Sequence, residues 1–384
     1  MSHIPYGRQE VIDDDVAAVA AVLRSDWLTQ GPVVPRFERE LANACGASHA
    51  LAVNSATSAL HIACRALGLG PGDWLWTSPI TFLASANCAL YCGAQVDFVD
   101  IDPRSYNLSV EALATKLAQA QVDGRLPKIV VPVHLAGQSC DMAAIHALSR
   151  KYGFRIIEDA SHAIGGRYQG RPVGDCRFSD ITVFSFHPVK IITSAEGGMA
   201  LTNDAQLAER MSLFRSHGMT RDPALMSREP DGPWYYEQVE LGYNYRMTEL
   251  QAALGLNQAG RLHDYVARRH VLARRYDERL AALPLRTPWQ HPDSYSGLHL
   301  YVVRVAASRR RAVFDELRAG DIGVNVHYIP VHTQPYYQRP GHVRGPFLEA
   351  ERYYAEAISL PMYATLREDQ QDRVIDVLGR ALLA

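Results

Sequence analysis

Between residues 50 and 201 the chain alternates short apolar runs with longer amphipathic stretches. The short runs have the length and the Val, Ile, Trp and Phe content of β-strands, whereas apolar residues in the longer stretches recur at helical spacing. The predicted strands are 50–53, 74–77, 95–99, 128–133, 154–157, 181–186 and 199–201. A turn after the first strand leads into a predicted helix that runs to Gly68, and the other predicted helices are 81–92, 109–119 and 141–152. This alternation predicts an α/β fold with a mainly parallel sheet between helices, in which ligands bind at the carboxyl ends of strands.

Further elements are predicted on both sides of this region. Val16, Val19, Ala20 and Leu23 recur at helical spacing over 13–23. The pattern after residue 240 predicts helices at 247–256, 309–318 and 347–357, strands at 299–305 and 323–328, and a Gly- and Pro-rich loop at 340–346. We therefore expect an N-terminal arm and large domain over 1–255 and a smaller C-terminal domain over 256–384.

Composition narrows the class of protein. The 384 residues are 47% hydrophobic and 21% charged with a net charge of -2, which is typical of a globular chain rather than a nucleic-acid-binding one. The N-terminus lacks an apolar signal region and no apolar run approaches the roughly 20 residues that span a bilayer, so we expect a cytoplasmic protein without membrane contact. Six cysteines without CxxC pairs predict reduced, mostly buried thiols and no metal site.

One lysine lies between two predicted strands. In the stretch 179–202 (SDITVFSFHPVKIITSAEGGMALT), Lys190 follows the apolar run 181–186, and Glu196-Gly197-Gly198 then turns the chain into the next strand. Burial beside apolar strands disfavours a charged amine and prepares it for a Schiff base with a carbonyl compound. The alternative is an ordinary exposed loop lysine, which is the commoner situation for a lone lysine.

Two strand ends carry further candidate chemistry. After strand 50–53, Ala56, Thr57 and Ser58 open a helix, where backbone N–H groups and the helix dipole favour an anion such as a phosphate; the alternative is an ordinary helix cap. After strand 154–157 come Glu158 and Asp159. Because neighbouring strand residues point to opposite faces, only one of these carboxylates can face a bound ligand.

These segments resemble a known family. SFHPVK with the following Thr/Ser-rich segment and EGGMALTN is similar to the cofactor-lysine signature of the pyridoxal-phosphate-dependent nucleotide-sugar aminotransferases, the DegT/StrS family, and the resemblance extends from Tyr6 to about Pro361. It implies the fold type I aminotransferase architecture, pyridoxal 5'-phosphate bound at Lys190, and Asp159 as the carboxylate that keeps the pyridine nitrogen protonated so that the ring accepts electrons.

The resemblance also implies roles for other residues. Phe82 would stack on the pyridine ring, His162 would contact the cofactor's 3-oxygen, and Asn244 of LGYNYRMTE would reach the phosphate in a neighbouring subunit, which predicts a homodimer. The corresponding alternatives are a core phenylalanine, a buried histidine bonded by backbone and an exposed turn. Ser185 would join Ala56, Thr57 and Ser58 near the phosphate, and the implied substrate contacts are Tyr6, Asp26, Trp27, Leu28, Thr29, Ala56, Ser185, Asn325, Val326, His327 and Tyr328.

Within the family, YGRQ, SDWLTQGP, NSATSALH, TSPITF, HPVKIIT and RSHGM resemble the transaminases of pseudaminic acid biosynthesis. That resemblance implies transfer of an amino group from L-glutamate to C4 of a UDP-linked 2-acetamido-2,6-dideoxy-4-keto-hexose, giving UDP-4-amino-4,6-dideoxy-N-acetyl-β-L-altrosamine, with Lys190 moving the proton. The alternatives are another UDP- or dTDP-linked 4-keto or 3-keto sugar, removal of a sugar hydroxyl, for which relatives typically carry histidine in place of the lysine, and a non-catalytic regulator with the same fold.

Overall fold

The computed structural model describes residues 3–339, 341 and 345–383. Its strands, numbered along the chain, are β1 His49–Val53, β2 Trp74–Thr77, β3 Gln95–Phe98, β4 Ile129–Val131, β5 Arg155–Asp159, β6 Arg167–Tyr168, β7 Arg171–Pro172, β8 Ile181–Ser185, β9 Gly198–Thr202, β10 Met219–Thr220, β11 Glu237–Gln238, β12 Ser294–Tyr295, β13 Tyr301–Arg304 and β14 Ala357–Leu360. Seven of these strands form the main sheet, in the order β1-β9-β8-β5-β4-β2-β3.

The main sheet is mostly parallel, as predicted. The pairs β2–β3, β2–β4, β4–β5 and β5–β8 are parallel, and β9 runs antiparallel to both of its neighbours, β1 and β8. Strands β8 and β9 are buried at every position, because helices cover both faces of the sheet. The carboxyl ends of β1, β2, β4, β5 and β8 therefore meet at one edge.

In the described part of the chain, twelve α-helices surround the sheets. They are α1 Asp13–Leu23, α2 Val33–Cys45, α3 Ala56–Ala66, α4 Ala84–Tyr91, α5 Val110–Val122, α6 Met142–Tyr152, α7 Ala205–Arg215, α8 Glu249–Ala259, α9 Leu262–Leu280, α10 Ala307–Ala319, α11 Leu348–Glu356 and α12 Glu368–Leu383. Several begin at residues whose side chains accept a hydrogen bond from the first turn, including Ser55 before α3 and Thr248 before α8. None of the helices in the described part of the chain is long and apolar enough to cross a membrane.

The C-terminal part of the chain has its own apolar cluster. It joins α9, α10 and α12 to the antiparallel pair β13–β14, and Ile4 of the N-terminal arm belongs to it. Gly323 N–H donates to Ile4 O and Ile4 N–H donates to Asp321 O, which fixes the arm against this region. The predicted boundary at residue 255 falls inside α8, and the division into domains stays a prediction.

Most predicted elements are present with boundaries shifted by a few residues, but the strand predicted at 323–328 was wrong. Only Asn325 makes a β-bridge there, with Ser359, because neighbouring backbone groups bond instead to the N-terminal arm and to side chains.

In α1 the predicted apolar stripe is largely exposed, with Val16 at 59%, whereas the Asp15 carboxylate is buried and paired with Arg261. The loop predicted at 340–346 lies mostly outside the described residues. All six cysteines are buried free thiols, as predicted.

Candidate active site

A cavity of about 520 Å³ opens at the edge where the carboxyl ends of the parallel strands meet. The start of α3 forms one wall, and the turn between β8 and β9 forms another. The segment 325–328 and Tyr6 of the N-terminal arm form the remaining wall. Its walls include these predicted site residues: Tyr6, Ala56, Thr57, Phe82, Asp159, His162, Ser185, Lys190, Asn325, Val326, His327 and Tyr328.

Lys190 extends into this cavity from the β8–β9 turn. Its backbone N–H donates to His187 O at 2.9 Å, which fixes the turn, and its side chain is only partly exposed. Burial lowers the pKa of the Lys190 amine from 10.5 to about 8, although the negative charge of Asp159 acts in the opposite direction. With a pKa of about 8, roughly a tenth of the amine is unprotonated and nucleophilic at pH 7, far more than for a lysine with a pKa of 10.5.

Asp159 ends β5 with its carboxylate fixed by hydroxyl groups. Ser85 Oγ donates to Oδ2 at 2.6 Å, and the Ser161 hydroxyl and backbone N–H donate to Oδ1 at 2.5 and 3.1 Å. The neighbouring Glu158 faces the other side of the sheet, where its carboxylate is paired with His134 at 2.7 Å. Only Asp159 of the two carboxylates lines the cavity, as strand alternation requires.

The first turn of α3 offers the cavity an anion site. The Ser55 hydroxyl accepts the Ser58 N–H, and the Ser58 hydroxyl donates to Asn54, so the Ser58 side chain is buried in the cap rather than among the cavity walls. The amides of Ala56 and Thr57 are among those that a helix leaves without an intrahelical partner. The start of α3 lies so close to β9 that only a glycine fits at position 198, where a Cβ would lie 2.5 Å from Ala56 N.

Three imidazole rings lie beside the lysine. His162 and His299 pack with ring centroids 4.4 Å apart, and the Nδ1 of His299 is buried without a hydrogen-bond partner among the described residues. Burial, with a further contribution from the charge of Lys190, lowers the pKa of His162 and of His299 well below 6.5 and that of His327 to about 4. All three rings are therefore neutral at physiological pH.

Six predicted residues lie outside the cavity of this chain. Asp26, Trp27, Leu28 and Thr29 are exposed on a loop that is held against α8, where Glu249 N–H donates to Leu28 O at 3.0 Å. Asn244 is exposed on a segment that bridges Ser216, and Ser58 is buried in the cap of α3.

Several residues in and around the cavity were not predicted from the sequence. The cavity is also lined by Thr81, Ser161, His187, Glu196 and His299. Ser85 is not a lining residue, but its hydroxyl donates a hydrogen bond to Asp159. Ser161 follows Asp159 closely enough to be found from its position after β5. His299 and Ser85 carry no local signal, because they reach the site only through the packing of distant elements.

The comparisons with known proteins agree with this geometry. Residues 9–379 match the model of the DegT/DnrJ/EryC1/StrS aminotransferase family, and the chain belongs to that family. It is a sugar aminotransferase with the fold of the solved aminotransferases that it matches, and aminotransferases of this family use pyridoxal phosphate.

Three relatives illustrate the match. The spore coat polysaccharide biosynthesis protein SpsC of Bacillus subtilis is 40% identical over 98% of this chain and 96% of its own. Helicobacter pylori PseC, an aminotransferase involved in the biosynthesis of pseudoaminic acid, is 32% identical with a TM-score of 0.91 and full coverage of both chains. Spr1654 of Streptococcus pneumoniae, in its pyridoxal-phosphate form, is 27% identical with a TM-score of 0.89, covering 99% of both chains.

The residues of this chain fit that cofactor. A buried amine with a low pKa, a carboxylate fixed by hydroxyl groups, and free amides at a helix N-terminus are the groups that an aldehyde, a basic ring nitrogen and a phosphate require. All of them face one cavity, formed by Lys190, Asp159 and the start of α3.

Proposed function

We propose that this enzyme, with pyridoxal phosphate bound through Lys190, transfers an amino group from L-glutamate to C4 of a UDP-linked 2-acetamido-2,6-dideoxy-4-keto-hexose. The product would be UDP-4-amino-4,6-dideoxy-N-acetyl-β-L-altrosamine. The observation that carries the aminotransferase chemistry is the presence of Lys190, Asp159 and the α3 N-terminus around one cavity. The choice of sugar is supported by the similarity to PseC over the whole chain.

The cofactor, when bound, carries the amino group and accepts the negative charge left when the amine-bearing carbon loses its proton. Lys190 moves that proton, because an amine with a pKa of about 8 can both accept and return it near neutral pH. Asp159 would hold a proton at the ring nitrogen, and the amides of Ala56 and Thr57, with the Ser185 hydroxyl, would bind the phosphate.

We further propose that a second copy of the chain completes the site. Asn244 and the loop Asp26 to Thr29 are exposed and lie outside their own cavity, which leaves them available to a partner. Trp27 is 55% exposed and Leu28 50%, and an interface over this loop would remove both large apolar side chains from water. A homodimer in which Asn244 reaches the partner's phosphate site is consistent with this placement.

The test offers the purified enzyme a panel of UDP- and dTDP-linked 4-keto and 3-keto sugars with L-glutamate, and identifies aminated products by mass spectrometry and NMR. The named 4-amino sugar should form fastest; faster amination of another sugar would keep the aminotransferase and replace the substrate. Addition of glutamate alone should change the visible absorbance of the bound cofactor. If neither change nor product appears, a non-catalytic role replaces the proposal.

The cofactor lysine is tested separately. Borohydride reduction followed by peptide mapping should place the label on Lys190, and Lys190→Ala should bind the cofactor without measurable turnover. Lys151→Ala, at an exposed lysine of α6, is the control for loss of a positive charge. A label on another residue, or substantial transamination by Lys190→Ala, would refute the assignment.

A further inference from the structure

Two hydrogen bonds determine which nitrogen of His162 carries a proton. The backbone N–H of Ala136 donates to Nδ1 at 3.2 Å, so Nδ1 is an acceptor and has no proton. Because His162 is a neutral imidazole, its one proton must then be on Nε2. Nε2 lies 3.1 Å from the hydroxyl oxygen of Tyr328, which therefore accepts the Nε2–H.

This direction of the hydrogen bond leaves the proton of Tyr328 without a partner among the described residues. Since the Tyr328 oxygen accepts from His162, its own O–H must point elsewhere, and no further hydrogen bond to this hydroxyl is present within the described residues. Tyr328 lines the same cavity as Lys190. Burial raises the pKa of Tyr328 above 10, so the hydroxyl keeps its proton at physiological pH.

Neighbouring contacts fix the ring of Tyr328 in this position. The preceding residue, His327, is bonded through Nδ1 to Ser359 Oγ at 2.8 Å, and its carbonyl oxygen accepts the Tyr353 hydroxyl at 2.8 Å. The ring of His299 packs against that of His162 and limits its rotation. A donor fixed before the ligand arrives loses little entropy when it acts.

Resting on the proposed function, we infer that Tyr328 is the proton donor to the carbonyl oxygen of the keto substrate, and that His162 is its positioning residue. When an amine and a ketone form a carbon–nitrogen double bond, the carbonyl oxygen leaves as water, and both protons of that water come from the amine nitrogen overall. Tyr328 gives its proton to the departing oxygen and regains one from the nitrogen. The Nε2–H of His162 stabilises the transient phenolate by a hydrogen bond.

The first experiment separates proton donation from simple binding. General acids contribute about 10²- to 10⁴-fold to rates, so Tyr328→Phe should lower kcat by roughly that factor while the KM for the keto sugar changes little. The control is Tyr295→Phe, a tyrosine 42% exposed and stacked on His270 outside the cavity, which should keep wild-type kcat. An unchanged kcat with a raised KM for Tyr328→Phe would show a binding contact only and overturn the inference.

The second experiment tests the tautomer without turnover. In protein labelled with ¹⁵N-histidine, the signals of His162, assigned from their loss in His162→Gln, should show a proton on Nε2 and none on Nδ1. His162→Gln, which keeps an N–H donor, should retain most of kcat, whereas His162→Leu should lose it. A proton on Nδ1, or equal kcat in the two variants, would refute the positioning role. If the wild type aminates no keto sugar, the proposed function itself fails.

Discussion

Replacing Lys190 by methionine should stabilise the cofactor-free enzyme at neutral pH. The folded pKa of the amine is about 8, against 10.5 for an ordinary lysine, so the folded state disfavours the proton that the unfolded state binds. Wild type therefore loses stability as the pH falls from 10.5 to 8, and the loss is nearly complete below 8. At about 1.4 kcal/mol per pKa unit, the cost reaches about 3 kcal/mol at pH 7 and less than 1 kcal/mol at pH 10.

Urea unfolding of both cofactor-free proteins, followed by circular dichroism between pH 7 and 10, measures this cost. The advantage of Lys190→Met in the free energy of unfolding should shrink by about 2 kcal/mol over that range. Lys151→Met, at an exposed lysine, should change stability by no more than about 0.5 kcal/mol. A difference between Lys190→Met and wild type that does not depend on pH would show that the Lys190 amine is solvated, which would remove the physical basis for its nucleophilicity.

Three further outcomes follow from the contacts of the site. Gly198→Ala places a Cβ against the backbone at the start of α3 and should weaken pyridoxal phosphate binding in a fluorescence titration, whereas Gly70→Ala, with open space around it, should not. Arg269→Met leaves three buried carbonyl groups unpaired and should lower the free energy of unfolding by at least about 2 kcal/mol, unlike Arg311→Met at the surface. Asp159→Asn should lower turnover by roughly 100-fold or more with an unchanged circular dichroism spectrum, and near-normal turnover would contradict its role.

The parallel sheet was predictable because its strands have local signals. Each buried strand is a short apolar run, and the chemistry lies at its end or within a few residues of it, as with Asp159 at the end of β5 and Lys190 after β8. Alternation along a strand also allowed only one of Glu158 and Asp159 to face a ligand, and the structure places Asp159 in the cavity.

Residues whose positions depend on distant segments could not be predicted in this way. The run 323–328 has the composition of a strand, yet its backbone groups bond to the N-terminal arm and to β14, which the sequence does not show. Ser85 looks like an ordinary residue in the first turn of α4, and only the approach of β5 brings its hydroxyl to Asp159. His299 reaches the cavity because Arg269, buried on α9, bonds the carbonyl groups of residues 298 and 299.

The topology of the sheet determines where the polar groups of the cavity lie. Because β1, β5 and β8 all run in one direction, the first turn of α3, the carboxylate of Asp159 and the hydroxyl of Ser185 emerge at one edge, and β9 returns antiparallel to close the turn that holds Lys190. The anion site and the carboxylate therefore belong to different strands of one rigid sheet, with the amine on the turn beside them. A flat cofactor with a phosphate, an aldehyde and a ring nitrogen at separate positions needs such a fixed arrangement, since a sheet edge cannot rearrange without breaking its hydrogen bonds.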